Sequence, residues 1–237
     1  ANTTVSDNTA IGYQALKANT TGANNTSVGH NSLLSNTTAN NNTALGADSL
    51  LANTTGTQNT AVGKEALDAN TTADNNTALG YQALTSNTEG TQNVSVGAVS
   101  LYANTSGNRN IAIGYQTLDA NTTGDDNVAI GKGALTANTT ADDNTAVGNN
   151  ALGSNTTGTQ NTAVGALALD ANTTSNNSTA IGFNNLSAST GASNTGTGSY
   201  CLSSNTSGTQ NVAAGHAAMQ FNTTGSSNTA LGEQALY

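Results

Sequence analysis

The chain has 237 residues, of which 7% are charged and 3% aromatic, with no Pro, no Trp and a single Cys. Four Lys and Arg against thirteen Asp and Glu leave a net charge of −9, which excludes the basic footprint of nucleic-acid binding and a polybasic handle for anionic lipid. No apolar run approaches the roughly 20 residues of a membrane-spanning helix, and one cysteine makes no intramolecular disulfide.

The first copy of the recurring piece is Asn8-Thr9-Ala10-Ile11-Gly12, and it returns every 17 residues. Its glycine recurs at Gly29, Gly46, Gly63, Gly80, Gly97, Gly114, Gly131, Gly148, Gly165 and Gly182, then at Gly198, Gly215 and Gly232. A period this short implies a solenoid or array rather than a globular core. A disordered Gly/Ser/Asn/Thr linker needs neither a fixed period nor an invariant Leu.

Asn-Thr-Ala-Ile/Val/Leu-Gly reads as a short strand that the glycine ends. Two columns are expected to form the core ladder: Leu16, Leu33, Leu50, Leu67 and Leu84, four places after each glycine, and Ile11, Val28 and Leu45, immediately before it. Period-two alternation puts Thr9, Val94 and Ile111 on the same strand face as that second column. The intervening column (Ala10, Ser27, Ala44, Ala61, Ala112) is uniformly small and faces the other way. It is the expected face for contact with other chains. The residues after the glycine fit either one helical turn or a second short strand, and periodicity over so few places does not separate the two. Asn19, Asn36 and Asn53 open Asn-Thr-Thr turns, and stacked in register they are expected to form side-chain ladders.

Each copy offers two large apolar side chains worth about 1.5–3 kcal/mol each when buried, against a backbone ordering cost of roughly 1–2 kcal/mol per residue. No copy folds alone, so copies must stack. The expectation is an all-β solenoid, or β-roll, of about fourteen 17-residue coils with room for one short helical turn in each, forming a single domain over 1–237. One unit, near 183–198, is a residue short, and Thr197 and Gly196 weaken its columns.

Candidate chemistry is sparse. His30 and His216 are far apart, no Ser/His/Asp set or Cys/His cluster is present, and Gly131-Lys132-Gly133 lacks a phosphate-loop context. Cys201 replaces Ala or Ser in a packed column and reads as inert. A non-enzyme is expected, without cofactor unless Ca²⁺ binds Asp125, Asp126, Asp142 and Asp143. These occupy matching places in successive units, where opposed like charges repel and a cation would relieve them. Asn-x-Thr triplets match the glycosylation pattern, but the Asn and Thr columns alone explain them. Tyr237 falls in the fifth place of its unit and Ala1 in the sixth. Ala1, Asn2, Leu236 and Tyr237 are thus the expected end-to-end interface, since head-to-tail contacts that do not close give filaments.

Asn8-Thr9-Ala10-Ile11-Gly12-Tyr13-Gln14-Ala15-Leu16 followed by Asn19-Thr20-Thr21-Gly22 resembles the repeats of bacterial and phage tail-fibre-like proteins. Thr-Ala-Ile-Gly is also similar to the head repeats of trimeric autotransporter adhesins, whose shorter unit folds as a left-handed β-roll trimer. The resemblance implies a fibre at a cell or virion surface, self-associating head to tail, laterally or both. Two other expectations stand beside it. One is an ice- or crystal-binding protein using a flat Thr/Ala face, with Thr20, Thr37 and Thr54 as its row. The other is a glycan-binding adhesin using Tyr13, Tyr81, Tyr115 and Phe183, which share a column with interruptions.

Overall fold

The computed structural model describes residues 7–237, which fall into two compact units meeting in sequence at Thr123 and Gly124. Each unit is a parallel β-solenoid with one three-residue strand per coil and, among the described residues, no helix. The first carries β1 (Thr9–Ile11), β2 (Thr26–Val28), β3 (Thr43–Leu45), β4 (Thr60–Val62), β5 (Thr77–Leu79), β6 (Val94–Val96) and β7 (Ile111–Ile113). The second carries β8 (Val128–Ile130), β9 (Thr145–Val147), β10 (Thr162–Val164), β11 (Thr179–Ile181), β12 (Thr195–Thr197), β13 (Val212–Ala214) and β14 (Thr229–Leu231). Within a unit, consecutive strands pair in parallel and in register, as in Thr43↔Thr60, Ala44↔Ala61 and Leu45↔Val62. Like side chains therefore lie in files.

A three-residue strand points one side chain to one face and two to the other. The single inward place belongs to the small residue: Ala44, Ala61, Ala78, Ala112 and Ser95 are fully buried. Facing them is the third place after the glycine, also mostly small, as where the Ser95 and Ser100 hydroxyls meet and where Ser32 Oγ reaches the Ala44 carbonyl at 3.1 Å. Leu33, Leu50, Leu67, Leu84 and Leu101, fully buried, with Leu16 nearly so, fill the rest of the interior. Ile11, Val28 and Leu45, expected in the core, are instead outside, with Ile11 61% and Leu45 47% exposed. The reason is width. A coil of this length encloses a single layer of side chains, and once the Leu and the facing third-place residue occupy it only Ala, Ser or Gly fits at the inward strand place; a branched chain there would overpack. The small column is thus internal packing, and the branched column is the one left open to other molecules.

The segment after each glycine is neither helix nor strand. Its second and fourth places adopt left-handed backbone, as at Glu65 (φ 58°) and Leu67 (φ 52°). The two left-handed places send their N–H groups to opposite neighbours. Glu65 N–H donates to the Ala47 carbonyl in the preceding coil (2.9 Å), and Leu67 N–H to the Ala83 carbonyl in the following one (3.1 Å). A left-handed Leu costs of the order of 1–3 kcal/mol, and bonding to both neighbours holds it there. The strand-ending glycine is obligatory. Gly46 sits at φ 139°, and a Cβ there would lie 2.5 Å from the Gly63 carbonyl oxygen.

Two Asn files close the coil. Asn53 Nδ2 donates to Asn36 Oδ1 (3.0 Å), Asn70 to Asn53 (2.9 Å), Asn87 to Asn70 (3.1 Å) and Asn104 to Asn87 (2.9 Å), each also bonding the carbonyl three residues on. In the second file the Asn59 N–H donates to Asn42 Oδ1 (2.9 Å), while Asn42 Nδ2 holds the Gly56 carbonyl (2.8 Å). Every one of these Asn is fully buried, where an unpaired amide would be costly. The stack supplies the partners.

The short unit is absorbed without loss of register: Ala180 pairs with Gly196 and Gly196 with Ala213. Its cost appears in polar satisfaction. Ser189 stands where the ladder needs Asn, so Asn172 Oδ1 finds no donor, and the buried Asn185 Oδ1 is likewise unpaired.

Candidate functional site: the outward sheet face

The outward places of the strands form a surface of their own. On β2 to β7 they read Thr26/Val28, Thr43/Leu45, Thr60/Val62, Thr77/Leu79, Val94/Val96 and Ile111/Ile113. On β8 to β14 they read Val128/Ile130, Thr145/Val147, Thr162/Val164, Thr179/Ile181, Thr195/Thr197, Val212/Ala214 and Thr229/Leu231. None is charged, on a chain carrying −9 overall. Leu79, Ile113, Ile130, Val164, Ile181 and Val212 are between 36% and 43% exposed, which is high for branched apolar side chains on paired strands. The Thr26, Thr43, Thr60 and Thr77 hydroxyls bond no other group among the described residues, and so point outward uncommitted.

The Thr20, Thr37, Thr54 file is built differently. Each hydroxyl donates to a carbonyl of the next coil: Thr20 to Thr37 (2.9 Å), Thr37 to Thr54 (3.1 Å) and Thr54 to Thr71 (3.0 Å). These donors are spent on coil-to-coil bonding. The Asn of the Asn-Thr-Thr triplets is buried in the ladder, whereas Asn24, Asn41 and Asn75 of the Asn-Asn-Thr triplets are exposed in left-handed turns.

Of the four aspartates, Asp142 uses Oδ1 to accept the Asp125 N–H at 2.7 Å, and Asp126 and Asp143 lie exposed in left-handed turns. Asn108 bonds Thr91 N–H in the same way at 2.9 Å, so the Asp142 place is a structural acceptor whichever residue fills it. Among the described residues no three His, Cys, Asp or Glu groups converge as a metal site. His30 Nδ1 lies 3.8 Å from Asp48, and His216 Nδ1 lies 4.0 Å from Glu233. Cys201 is buried, its S–H directed at the Ala213 carbonyl (3.3 Å), and burial raises its pKa to about 11. The thiol is inert at neutral pH.

Of the expected end-to-end residues, Leu236 and Tyr237 are exposed, and the Tyr237 ring packs edge-to-face on Phe221 at 4.7 Å. Ala1 and Asn2 lie outside the described residues. The aromatic column is more continuous in space than in sequence. Phe183 meets Tyr200, which stands one place later in its unit, and Tyr200 meets His216. Aligning like with like hides such a neighbour; the only signal is that both places after the glycine face outward. Comparison of the chain with protein-family models, curated proteins and solved structures gives no match.

Proposed function

We propose that the chain is a structural subunit of an extracellular fibre at a cell or virion surface, with its outward strand face as the lateral contact between copies. One observation carries this reading: every described strand presents two uncharged, mostly branched residues to the outside. On an acidic chain, that face is where copies approach with least repulsion. Its side-chain rows repeat at the strand spacing of about 4.8 Å, so a second copy carries the matching repeat. Seven strands give a strip of the order of 10 by 30 Å, small beside the roughly 800 Å² per partner of a stable interface. Lateral association should therefore strengthen with coil number. A further coil of the same sequence, in the same chain or another, extends the stack by the same bonds, which suits a filament or trimeric rod.

The test is sedimentation of the wild type against a chain carrying Leu45→Lys, Val62→Lys and Leu79→Lys. Multimers for the wild type and monomers for the variant, with unchanged circular dichroism, support the reading. A wild type that stays monomeric at high concentration refutes it. Ice or crystal binding is a second reading, favoured by the uncommitted Thr26, Thr43, Thr60 and Thr77 hydroxyls rather than by the Thr20 file. A monomeric wild type with thermal hysteresis, abolished by Thr60→Tyr and kept by Thr54→Tyr, would select it.

A further inference from the structure

Away from the strand face, the edge that follows each glycine carries an unusual run in the second unit. Phe183, Tyr200 and His216, from three consecutive coils, form a contiguous file with ring centroids 5.4 and 6.2 Å apart and planes crossing at 79° and 81°. Phe183 is 43% and Tyr200 38% exposed. Edge-to-face packing favours this ring arrangement, so the file is biased toward it before anything binds. Glu233, on the next coil, sits 4.0 Å from His216 with its carboxylate in solvent. At other coils the first place after the glycine is Ala47, Lys64, Ala98, Lys132 or Asn149, so the fold does not require rings there.

We propose that Phe183, Tyr200, His216 and Glu233 form a binding strip for an extended, neutral polysaccharide. A pyranose presents an apolar C–H face and an equator of hydroxyls. A twisted run of rings crossing at 79° and 81° offers a face to one sugar and an edge to the next, and the imidazole and carboxylate suit the hydroxyls. The strip advances one ring per coil, with centroids 5.4 and 6.2 Å apart, a step of the order of one pyranose in an extended chain. Three rings are too few for a protein partner, which needs roughly 800 Å² on each side. The net charge of −9 disfavours nucleic acid and anionic polysaccharides. This strip does not use the outward strand residues, so it stands or falls separately from lateral association.

The test is affinity electrophoresis of the full chain in gels containing hydroxyethyl cellulose, a soluble β-1,4-glucan, with cellohexaose titration followed by ring-proton NMR. The wild type should be retarded, and cellohexaose should shift the Phe183 and Tyr200 ring resonances. Tyr200→Ala and Phe183→Ala should weaken binding by about tenfold or more. Tyr200→Phe and Tyr102→Ala, the latter at an exposed ring outside the strip, should bind as the wild type does. No retardation and no ring shifts would overturn the proposal, as would retardation unchanged in a folded Tyr200→Ala chain. If Tyr200→Ala does not fold, the wild-type ring shifts and the His216→Ala and Glu233→Gln chains decide it: unmoved rings or unweakened binding overturn it.

Discussion

The irregular coil offers a sharp test of the interior. In regular coils the strand's small residue packs between Ala or Ser side chains, as Ala180 does beside the Ala168 file, both fully buried. In the short coil, Gly196 takes the strand place and Asn185 the opposing one. A Cβ on Gly196 would collide with Asn185 Oδ1 and lie 3.0 Å from its Cγ. Gly196→Ala alone therefore overpacks the coil and should cost about 1–3 kcal/mol. Asn185→Ala alone removes the amide that donates to the Gly198 carbonyl at 2.8 Å and the Ile181 carbonyl at 3.3 Å. It leaves a small void but also removes the unpaired oxygen, so its cost should be about 1–2 kcal/mol. The double change restores the Ala/Ala pair of the regular coils and should be nearly neutral. A double-mutant cycle by urea denaturation would then give a favourable coupling of about 2–5 kcal/mol, the sum of the two single costs. A coupling below about 0.5 kcal/mol, within the spread of independent sites, would refute the single-layer interior.

Other consequences follow from the same geometry. Asn87→Ala strips a donor from Asn70 Oδ1 and the Gly90 carbonyl and an acceptor from Asn104, and should cost about 3 kcal/mol or more in chemical denaturation. Ser189→Asn should reconnect the ladder at Asn172 and raise stability by about 1 kcal/mol, read in the same assay. Asp68 and Asp170 have pKa values raised above the ordinary 3.8 by burial, and the Thr85 hydroxyl bond to Asp68 (2.7 Å) only partly offsets this. Because the folded state disfavours these charges, the penalty is present above the folded pKa and disappears as pH falls through the ordinary carboxylate range. Asp68→Asn and Asp170→Asn should raise the melting temperature at pH 7, and the gain should vanish in acid.

The period, the parallel coils, the Leu file and the Asn ladders are readable from the sequence, because each is a residue type fixed at one place in the unit. The strand faces are harder. Hydrophobicity alone selects Ile11, Val28 and Leu45 as core and leaves Ala10, Ser27 and Ala44 outside. The better signal is strictness. The small column admits only Ala, Ser and Gly, the mark of a steric limit, whereas the neighbouring outward column accepts Thr, Val and Ile alike. The left-handed Leu67 and Leu84 are illegible, since their conformation serves bonds to neighbouring coils and runs against local preference. The run of Phe183, Tyr200 and His216 is hidden because it crosses columns.

Cross-linking tests the use of the outward face most directly. In a Cys201→Ala background, Leu79→Cys places a thiol on that face, and Thr88→Cys places one in the file whose hydroxyl bonds the Thr105 carbonyl. With a short bismaleimide, the first chain should run as covalent multimers on a denaturing gel and the second as monomer. Monomers from Leu79→Cys alongside multimers from Thr88→Cys would contradict the assignment of the branched strand face as the surface where copies meet.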